Sequence, residues 1–338
     1  MPKPTPSTRS PFVFIGASSG GVHAMLDFVA ALPAGFPAPI FFVQHIGARP
    51  SELAHLLDRR GPNRAVHASD GDVPVAGTIY VAPPDHHMLL EDGVVRLNRG
   101  PKEHHARPAI DPLFRSAALT CGPAAIGVVL TGGLDDGSAG LRAIKDCGGI
   151  AVVQDPQEAH EPSMPRAALA AVEPDHVVRL AQLPDLLLRL AAPQAIGPAV
   201  EPPAELRHEH DVALGVHTVD NLMAIAEPSV FTCPDCGGVL FELADKRLLR
   251  YRCHTGHAFS LRSLAATQEQ VTDAALWTGL RALQEKEGIL RRMADLQAQA
   301  APDAAADCLR EAEALASVST ALRALTMKAP EPANFDVP

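Results

Sequence analysis

Basic charge, long apolar runs and aromatic side chains are all scarce in this chain, and the first two scarcities each remove a class of function. Of 338 residues, 29 are Lys or Arg against 39 Asp or Glu, a formal net charge of −10. A general nucleic-acid binder needs a basic face to meet phosphates, so no nucleic-acid partner is expected. No apolar run approaches the roughly 18 residues of a membrane span, so no membrane insertion is expected either. The opening "MPKPTPSTRS" lacks the apolar core of a signal peptide and reads as a disordered lead over residues 1–10. Six cysteines are present, but only Cys233, Cys236 and Cys253 cluster. That spacing points to a metal site in a reducing compartment rather than a disulfide framework, and the chain reads as cytoplasmic. With aromatics at 4%, alanine, leucine and valine must fill the core of a chain that is 47% hydrophobic.

From Pro11 to about Ala192, short apolar runs alternate with helical stretches. "FVFIGA", "IFFVQHI", "GTIYVAPP", "AIGVVLTGG" and "GIAVVQD" read as strands, and "HMLLEDGVVRLN" as a hairpin around Asp92 and Gly93. "HAMLDFVAALP", "SELAHLLDRRG", "DPLFRSAALTCG" and "SAGLRAIKDCG" read as helices. Continuously apolar strands alternating with helices predict a three-layer α/β/α fold around a mostly parallel, doubly wound sheet.

"FVFIGASSGGVHAM" packs a strand, a glycine turn and a helix start together. A dinucleotide-binding turn would need a further glycine where Val22 stands and an acid after the second strand, where the chain has Gln44 and His45. Neither Tyr80 nor Tyr251 is followed by Lys four residues on, which removes the proton relay of short-chain dehydrogenases. Gly16-Ala17-Ser18-Ser19-Gly20 also fits the G-x-S-x-G turn that lifts a serine oxygen above a sheet. Such a serine needs a base, and the base an orienting acid. His45 ends the second strand, and Asp136 follows another in "VVLTGGLDDGSAG", so all three fall on the carboxyl edge where ligands of open parallel sheets gather. Taken singly, His45 also fits a surface loop histidine, and Asp136 a turn or helix N-cap. The order Ser, His, Asp differs from the Ser, acid, His order of standard α/β-hydrolases.

"IGASSGG", "QHI", "YVAPPDHHMLL", "ARPAIDPLFRSAA", "VVLTGGLDDGSAGL" and "VVQDPQEAHEPSMPRAAL", in this order over residues 11–192, resemble the catalytic domain of CheB, the chemotaxis protein-glutamate methylesterase. The resemblance implies Ser18 as nucleophile, His45 as base and Asp136, rather than Asp135, as the acid that orients it. It implies hydrolysis of glutamate methyl esters on the cytoplasmic helices of chemoreceptors or other signalling proteins, with glutamine deamidation in some members and no organic cofactor. Backbone N–H groups near Ser19 and Gly133 would form the oxyanion hole. The family form "LTGMGNDG" carries methionine where Gly133 stands, and threonine is often found at Ser19. His87 and Arg107 match family positions near the cleft, where a structural role fits each equally. CheB usually begins with a receiver domain, and residue 11 leaves no room for one here. The expectation is either a constitutively open enzyme or control by the C-terminal part. A scaffold that keeps the fold without turnover is the alternative.

Residues 193–228, with scattered prolines and acids, read as a linker with a short helix at "VDNLMAIA". Over 229–262, Cys233, Cys236, Cys253 and His257 make C-x2-C-x16-C-x3-H, the spacing of a zinc-ribbon-like module holding a structural zinc not needed for the chemistry. A metal-free thiol cluster, or His254 in place of His257, are the alternatives. Arg252 stands where it would offset thiolate charge. Residues 263–328 read as a helical hairpin on two stripes, Leu276, Leu280, Leu283, Leu290 and Leu315, Val318, Leu322, Leu325. It serves either packing or a partner helix. Residues 329–338 read as a disordered tail, and Cys121, Cys147 and Cys308 as core residues.

Overall fold

A computed structural model of the chain describes residues 11–192, 197–216, 218–245 and 247–327; the expected lead and tail lie outside them. Two compact units emerge, Met1–Leu264 and Ala265–Pro338.

The first unit is built on a seven-stranded parallel sheet. Its strands are β1 (Phe12–Ala17), β2 (Ile40–Gln44), β3 (Arg64–His67), β4 (Thr78–Val81), β7 (Ala125–Val129), β8 (Ile150–Gln154) and β9 (His176–Val178), in the order β3-β4-β2-β1-β7-β8-β9. Alternation along each strand sends side chains to opposite faces. Val13, Ile15, Ile40 and Phe42 meet Met25 and Phe28 of α1 (Gly21–Ala31), Leu57 of α2 (Leu53–Arg60) and Leu187 of α6 (Leu183–Leu190). Phe14, Phe41, Val43 and Val153 meet Phe114 of α3 (Ile110–Cys121), Ile144 of α4 (Ser138–Asp146) and Met164 of α5 (Ser163–Ala171). Three layers result, as expected. The expected hairpin is a separate antiparallel pair, β5 (His87–Glu91) with β6 (Val94–Asn98). Cys121 and Cys147 are buried in this core.

The strand order fixes the site. From β1 the chain first builds outward on the β2 side and later returns to place β7 on the other. The switch point of the sheet therefore lies between β1 and β7, where a crevice opens beyond the carboxyl ends. Ala17 pairs with Gln44 and Gly16 with Val129, so the loops leaving β2, β1 and β7 are neighbours.

The stretch read as a linker is packed structure. It contains α7 (Ala204–Leu214) and α8 (Thr218–Ile225), and at its end the first strand of a second sheet begins. Leu206 packs against the α3 side of the core, and Val212 clusters with Leu222, Ile225 and Leu243. The inward face of α7 is interrupted by Glu209, which is buried, so its apolar periodicity is hidden in the sequence. The second sheet is antiparallel, β10 (Ala226–Thr232), β11 (Val239–Leu243), β12 (Arg250–Cys253) and β13 (Ala258–Ser260) in chain order.

Helix α9 (Leu261–Gln297) carries the chain into the second unit, where α10 (Pro302–Thr326) follows. Lys286 and Glu311 join the two helices at 2.7 Å. Leu280 and Leu290 are buried as the first stripe requires, whereas Val318 and Leu325 of the second are exposed. On α10, Ala305, Ala312 and Ser319 are the buried positions, a small-residue face beside which Leu315 and Leu322 of the stripe are half-buried. Cys308 is half-buried rather than core.

Candidate functional site

Ser18 follows β1 at the entrance to α1, and the turn is held by its neighbours' polar groups. Ser18 N–H donates to Thr131 O at 3.0 Å. Gln44, at the end of β2, donates from Nε2 to Ser18 O at 2.7 Å. The Thr131 hydroxyl donates to Ser19 O at 2.9 Å and accepts Glu161 N–H at 2.8 Å. Gly21 allows this close approach: a Cβ there would lie 2.2 Å from Gln44 Oε1 and 2.6 Å from the Ala17 Cβ. No side chain fits without moving the turn.

His45 reaches both expected partners. Its Nδ1 lies 3.2 Å from Ser18 Oγ and its Nε2 2.7 Å from Asp136 Oδ2. An ionised carboxylate only accepts, so Nε2 carries the proton toward Asp136 and leaves the Nδ1 lone pair facing the serine hydroxyl. Asp136 is 2% exposed, while Ser18 is half-buried at the rim. Asp136 sits over the first turn of α3, where Ile110 N–H donates to Oδ2 at 2.7 Å and Asp111 N–H to Oδ1 at 3.0 Å. Two otherwise unsatisfied helix donors thus hold the carboxylate. Burial alone would raise its pKa, but the His104 charge, the His45 hydrogen bond and charge, and the Ile110 N–H hold it well below the usual carboxylate range. Asp135, also buried, accepts the Ser260 hydroxyl at 2.7 Å.

Ser19 follows Ser18, and Gly133 follows Gly132, where an added Cβ would lie 2.9 Å from the Ser18 Cβ; among the described residues neither the Ser19 nor the Gly133 backbone N–H donates to another protein group. A Cβ added at Gly133 would meet nothing within 4 Å, so the loop after β7 is open at that position. His87 and Arg107 take structural parts. His87 is 3% exposed, with Nε2 donating to Pro101 O at 2.9 Å, and Arg107 binds Asp85 Oδ1 and the carbonyls of Arg99 and Gly100.

The groups that the sequence did not single out lie in the segment before α3. His104 is 6% exposed on its side chain, with Nε2 3.1 Å from Asp111 Oδ2 and 3.7 Å from Asp136 Oδ1. These three groups lie within 4.8 Å of one another, but there the imidazole itself supplies positive charge. "EHHARP" gave no periodicity or spacing signal, because each partner lies on another element. Beside it, Glu103 accepts from Arg115 of α3 and from Arg252 of β12, while Glu209 of α7 accepts from Arg250 and Arg252. Arg252 therefore spends its donors on two buried carboxylates and on Gly256 O, not on the cysteines.

Cys233, Cys236, Cys253 and His257 converge, their ligand atoms all within 4.8 Å. Cys236 Sγ lies 3.7 Å from Cys253 Sγ, and Cys253 Sγ 3.5 Å from His257 Nδ1. Donors arranged tetrahedrally about 2.3 Å from one ion would stand roughly 3.8 Å apart, so the cluster has the right size. Gly237 N–H donates to Cys233 O at 2.8 Å, closing the first knuckle. His254 stands outside the group and packs on Gly238.

A three-layer α/β protein with a serine, an imidazole and a buried carboxylate joined by hydrogen bonds at the switch point has the architecture on which serine hydrolases work. The comparisons with known proteins narrow this class. The CheB methylesterase family profile matches residues 13–187, so the chain belongs to the CheB methylesterase family. A Leptospira interrogans protein, provisionally named a protein-glutamate methylesterase/protein-glutamine glutaminase, is 40% identical over 180 residues, which are 53% of this chain and 93% of that protein. A protein-glutamate methylesterase/protein-glutamine glutaminase of Anaeromyxobacter dehalogenans is 39% identical over 188 residues, 55% of each chain. The chain thus spans about half the length of that relative. The crystal structure of the Thermotoga maritima CheB methylesterase catalytic domain superposes with a TM-score of 0.51 at 32% identity, covering 54% of this chain and 99% of that one.

Among the described residues no helix is long and apolar enough to cross a membrane.

Proposed function

We propose that the chain hydrolyses methyl esters of protein glutamate side chains, and glutamine amides by the same route, with Ser18 as nucleophile, His45 as base and Asp136 as its orienting acid. The carrying observation is the unbroken hydrogen-bonded line from Ser18 Oγ through the His45 ring to buried Asp136. His45 Nδ1 takes the hydroxyl proton as Oγ bonds to the ester carbonyl carbon, and the negative oxygen falls to the free N–H groups of Ser19 and Gly133. The same nitrogen returns the proton to the departing methoxide, giving methanol and an acyl-enzyme. Water, deprotonated by His45, then releases glutamate and restores Ser18. With glutamine the leaving group is ammonia. The names borne by the Leptospira and Anaeromyxobacter relatives support both substrates. The partners that fit are the methylated cytoplasmic helices of chemoreceptors or other signalling proteins, and the compartment that fits clustered cysteines at metal-ligand spacing is the cytoplasm.

The test is methanol release from methylated receptor fragments. The wild type is expected to turn over, and Ser18→Ala to lose a factor of about 10⁴ or more. Equal rates for the two proteins would leave the fold as a binding module.

The second part of the reading is that Cys233, Cys236, Cys253 and His257 hold one structural zinc. Four protein ligands leave no open position for substrate, and among the described residues the further core around them is small, Leu240, Tyr251, Phe259 and Leu264 with half-buried Leu261. Metal analysis of the purified protein should find about one equivalent of zinc, lost in Cys233→Ser. Protein purified without chelator and free of metal would refute it.

A further inference from the structure

The cysteine-bearing sheet touches the triad's acid through one buried side chain. The segment before α3 runs alongside β13: His104 N–H donates to Ala258 O at 2.8 Å, and Ala258 N–H to Lys102 O at 3.2 Å. This pairing, with a left-handed backbone at His104 (φ 52), turns its ring beneath the loop that carries Asp136. Nε2 faces Asp111 and Asp136 at 3.1 and 3.7 Å, and Nδ1 faces Ser263 Oγ at 3.0 Å and Asp135 at 3.9 Å. Ser263 and Ser260 brace each other: Ser260 N–H donates to Ser263 Oγ and Ser263 N–H to Ser260 Oγ, at 2.9 and 3.0 Å. Ser260 Oγ also binds Asp135.

We infer that His104 is a positioning residue for the Ser18–His45–Asp136 unit: a buried imidazolium beneath Asp136 that lowers the pH at which the unit acts, set in place by Ser260, Ser263 and β13. The inference rests on the hydrolase reading above. The groups facing the ring are Asp111 from α3, Asp135 and Asp136 from the loop after β7, and the neutral Ser263 hydroxyl from the start of α9. Burial alone would strip its proton, but the Asp136 charge, the Asp111 hydrogen bond and charge, and the Asp135 charge raise it to about 10, so it stays cationic through neutral pH.

Three carboxyl groups and the His45 ring share this buried space. With the cation removed, the surplus negative charge draws in a proton, onto either the carboxyl cluster or His45. A proton on Asp136 or on His45 blocks the step in which His45 accepts the Ser18 proton. The active form then appears only at higher pH, by about one to three pH units for a charge at this distance. On the acidic side the rate falls by at least about tenfold, while the alkaline plateau remains.

The experiment follows Ser18 itself. The second-order rate of its phosphonylation by an alkyl fluorophosphonate is measured from about pH 5 to about pH 9, on the full-length, metal-loaded chain. In this reaction Ser18 Oγ bonds to phosphorus and fluoride leaves. His104→Asn and His104→Gln remove the charge and keep an N–H donor, and Asn accepts the left-handed backbone. Both are expected to displace the acidic limb upward with the plateau kept. Ser263→Ala, which leaves the charge but frees the ring, should displace it in the same direction by less. Should the His104 variants fail to fold, the Ser263→Ala profile decides alone. A limb coincident with wild type, or a rate scaled down equally at every pH, overturns the inference. Failure of the hydrolase reading looks different: the wild type would then label no faster than Ser18→Ala.

Discussion

Asp136→Asn is expected to lower kcat for ester hydrolysis by about 10⁴, the scale seen when a triad carboxylate becomes an amide. The reason is local. Oδ2 accepts both Ile110 N–H and His45 Nε2–H, and Oδ1 accepts Asp111 N–H. An asparagine has only one acceptor oxygen, so its NH2 group must face at least one donor. With the NH2 at the Oδ1 position it opposes Asp111 N–H and the His104 cation. With it at the Oδ2 position it opposes Ile110 N–H and donates to His45, whose proton then moves to Nδ1 and points at Ser18. That tautomer cannot take the serine proton. The buried mismatch should also cost about 1–3 kcal/mol of stability. Steady-state kinetics of methanol release, with urea melts of the same protein, check both numbers. A variant within tenfold of wild-type kcat would remove Asp136 from the reaction.

Glu103→Gln is expected to destabilise the first unit by about 3–5 kcal/mol, the cost of removing one partner from a buried ion pair. Glu103 is 2% exposed and meets Arg115 in two hydrogen bonds and Arg252 in two more. Its neighbour Glu209 binds Arg250 and Arg252. Two carboxylates thus balance three guanidinium groups where α3, α7 and β12 meet. Losing one leaves three buried cations on a single carboxylate. Burial alone would raise the Glu103 pKa, but Arg115 and Arg252 pull it down to about 2, and Glu209 is lowered for the same kind of reason by Arg250, Arg115 and Arg252. A depressed carboxyl stabilises the fold above its unfolded value, near 4.5, and that share is lost as pH falls toward 2. Urea midpoints should therefore drop steeply on acidification in the wild type and less in Glu103→Gln. Equal midpoints for the two proteins at neutral pH would refute the prediction.

Much of the site was legible because strand ends are legible. "FFVQH" and "VVLTGG" announce where β2 and β7 stop, and a parallel sheet gathers whatever follows those ends along one edge. Ser18, His45 and Asp136 were named on that ground, and the choice of Asp136 over Asp135 came from the family resemblance. The cysteine–histidine cluster was legible because knuckle spacing is local. The hairpin helices were legible as helices, but α10 buries Ala305, Ala312 and Ser319 while Val318 and Leu325 stay exposed. Leu315 and Leu322 of the stripe are half-buried beside that face, so the larger apolar side chains marked it only in part.

The part misread as a linker shows the limit. In α7 the buried positions are Glu209 and Val212, and a charged residue on the inner face breaks the apolar rhythm by which helices are recognised. Arg250 and Arg252, some 40 residues later in the chain, and Arg115 of α3, 3.5 Å away, make that burial tolerable. Likewise His104 follows no local pattern, since its partners come from α3, the loop after β7 and the start of α9.

Residue order alone, then, carried the alternation of strand and helix, the sheet edge on which Ser18, His45 and Asp136 stand, and the spacing of the cysteine cluster, with its histidine open between His254 and His257, because each is written in short-range rhythm or spacing. Which charges are buried together, and how the second sheet reaches the acid of the triad, was decided only when distant segments met. Opposite charges become partners by excluding water between them, and that exclusion exists only in three dimensions.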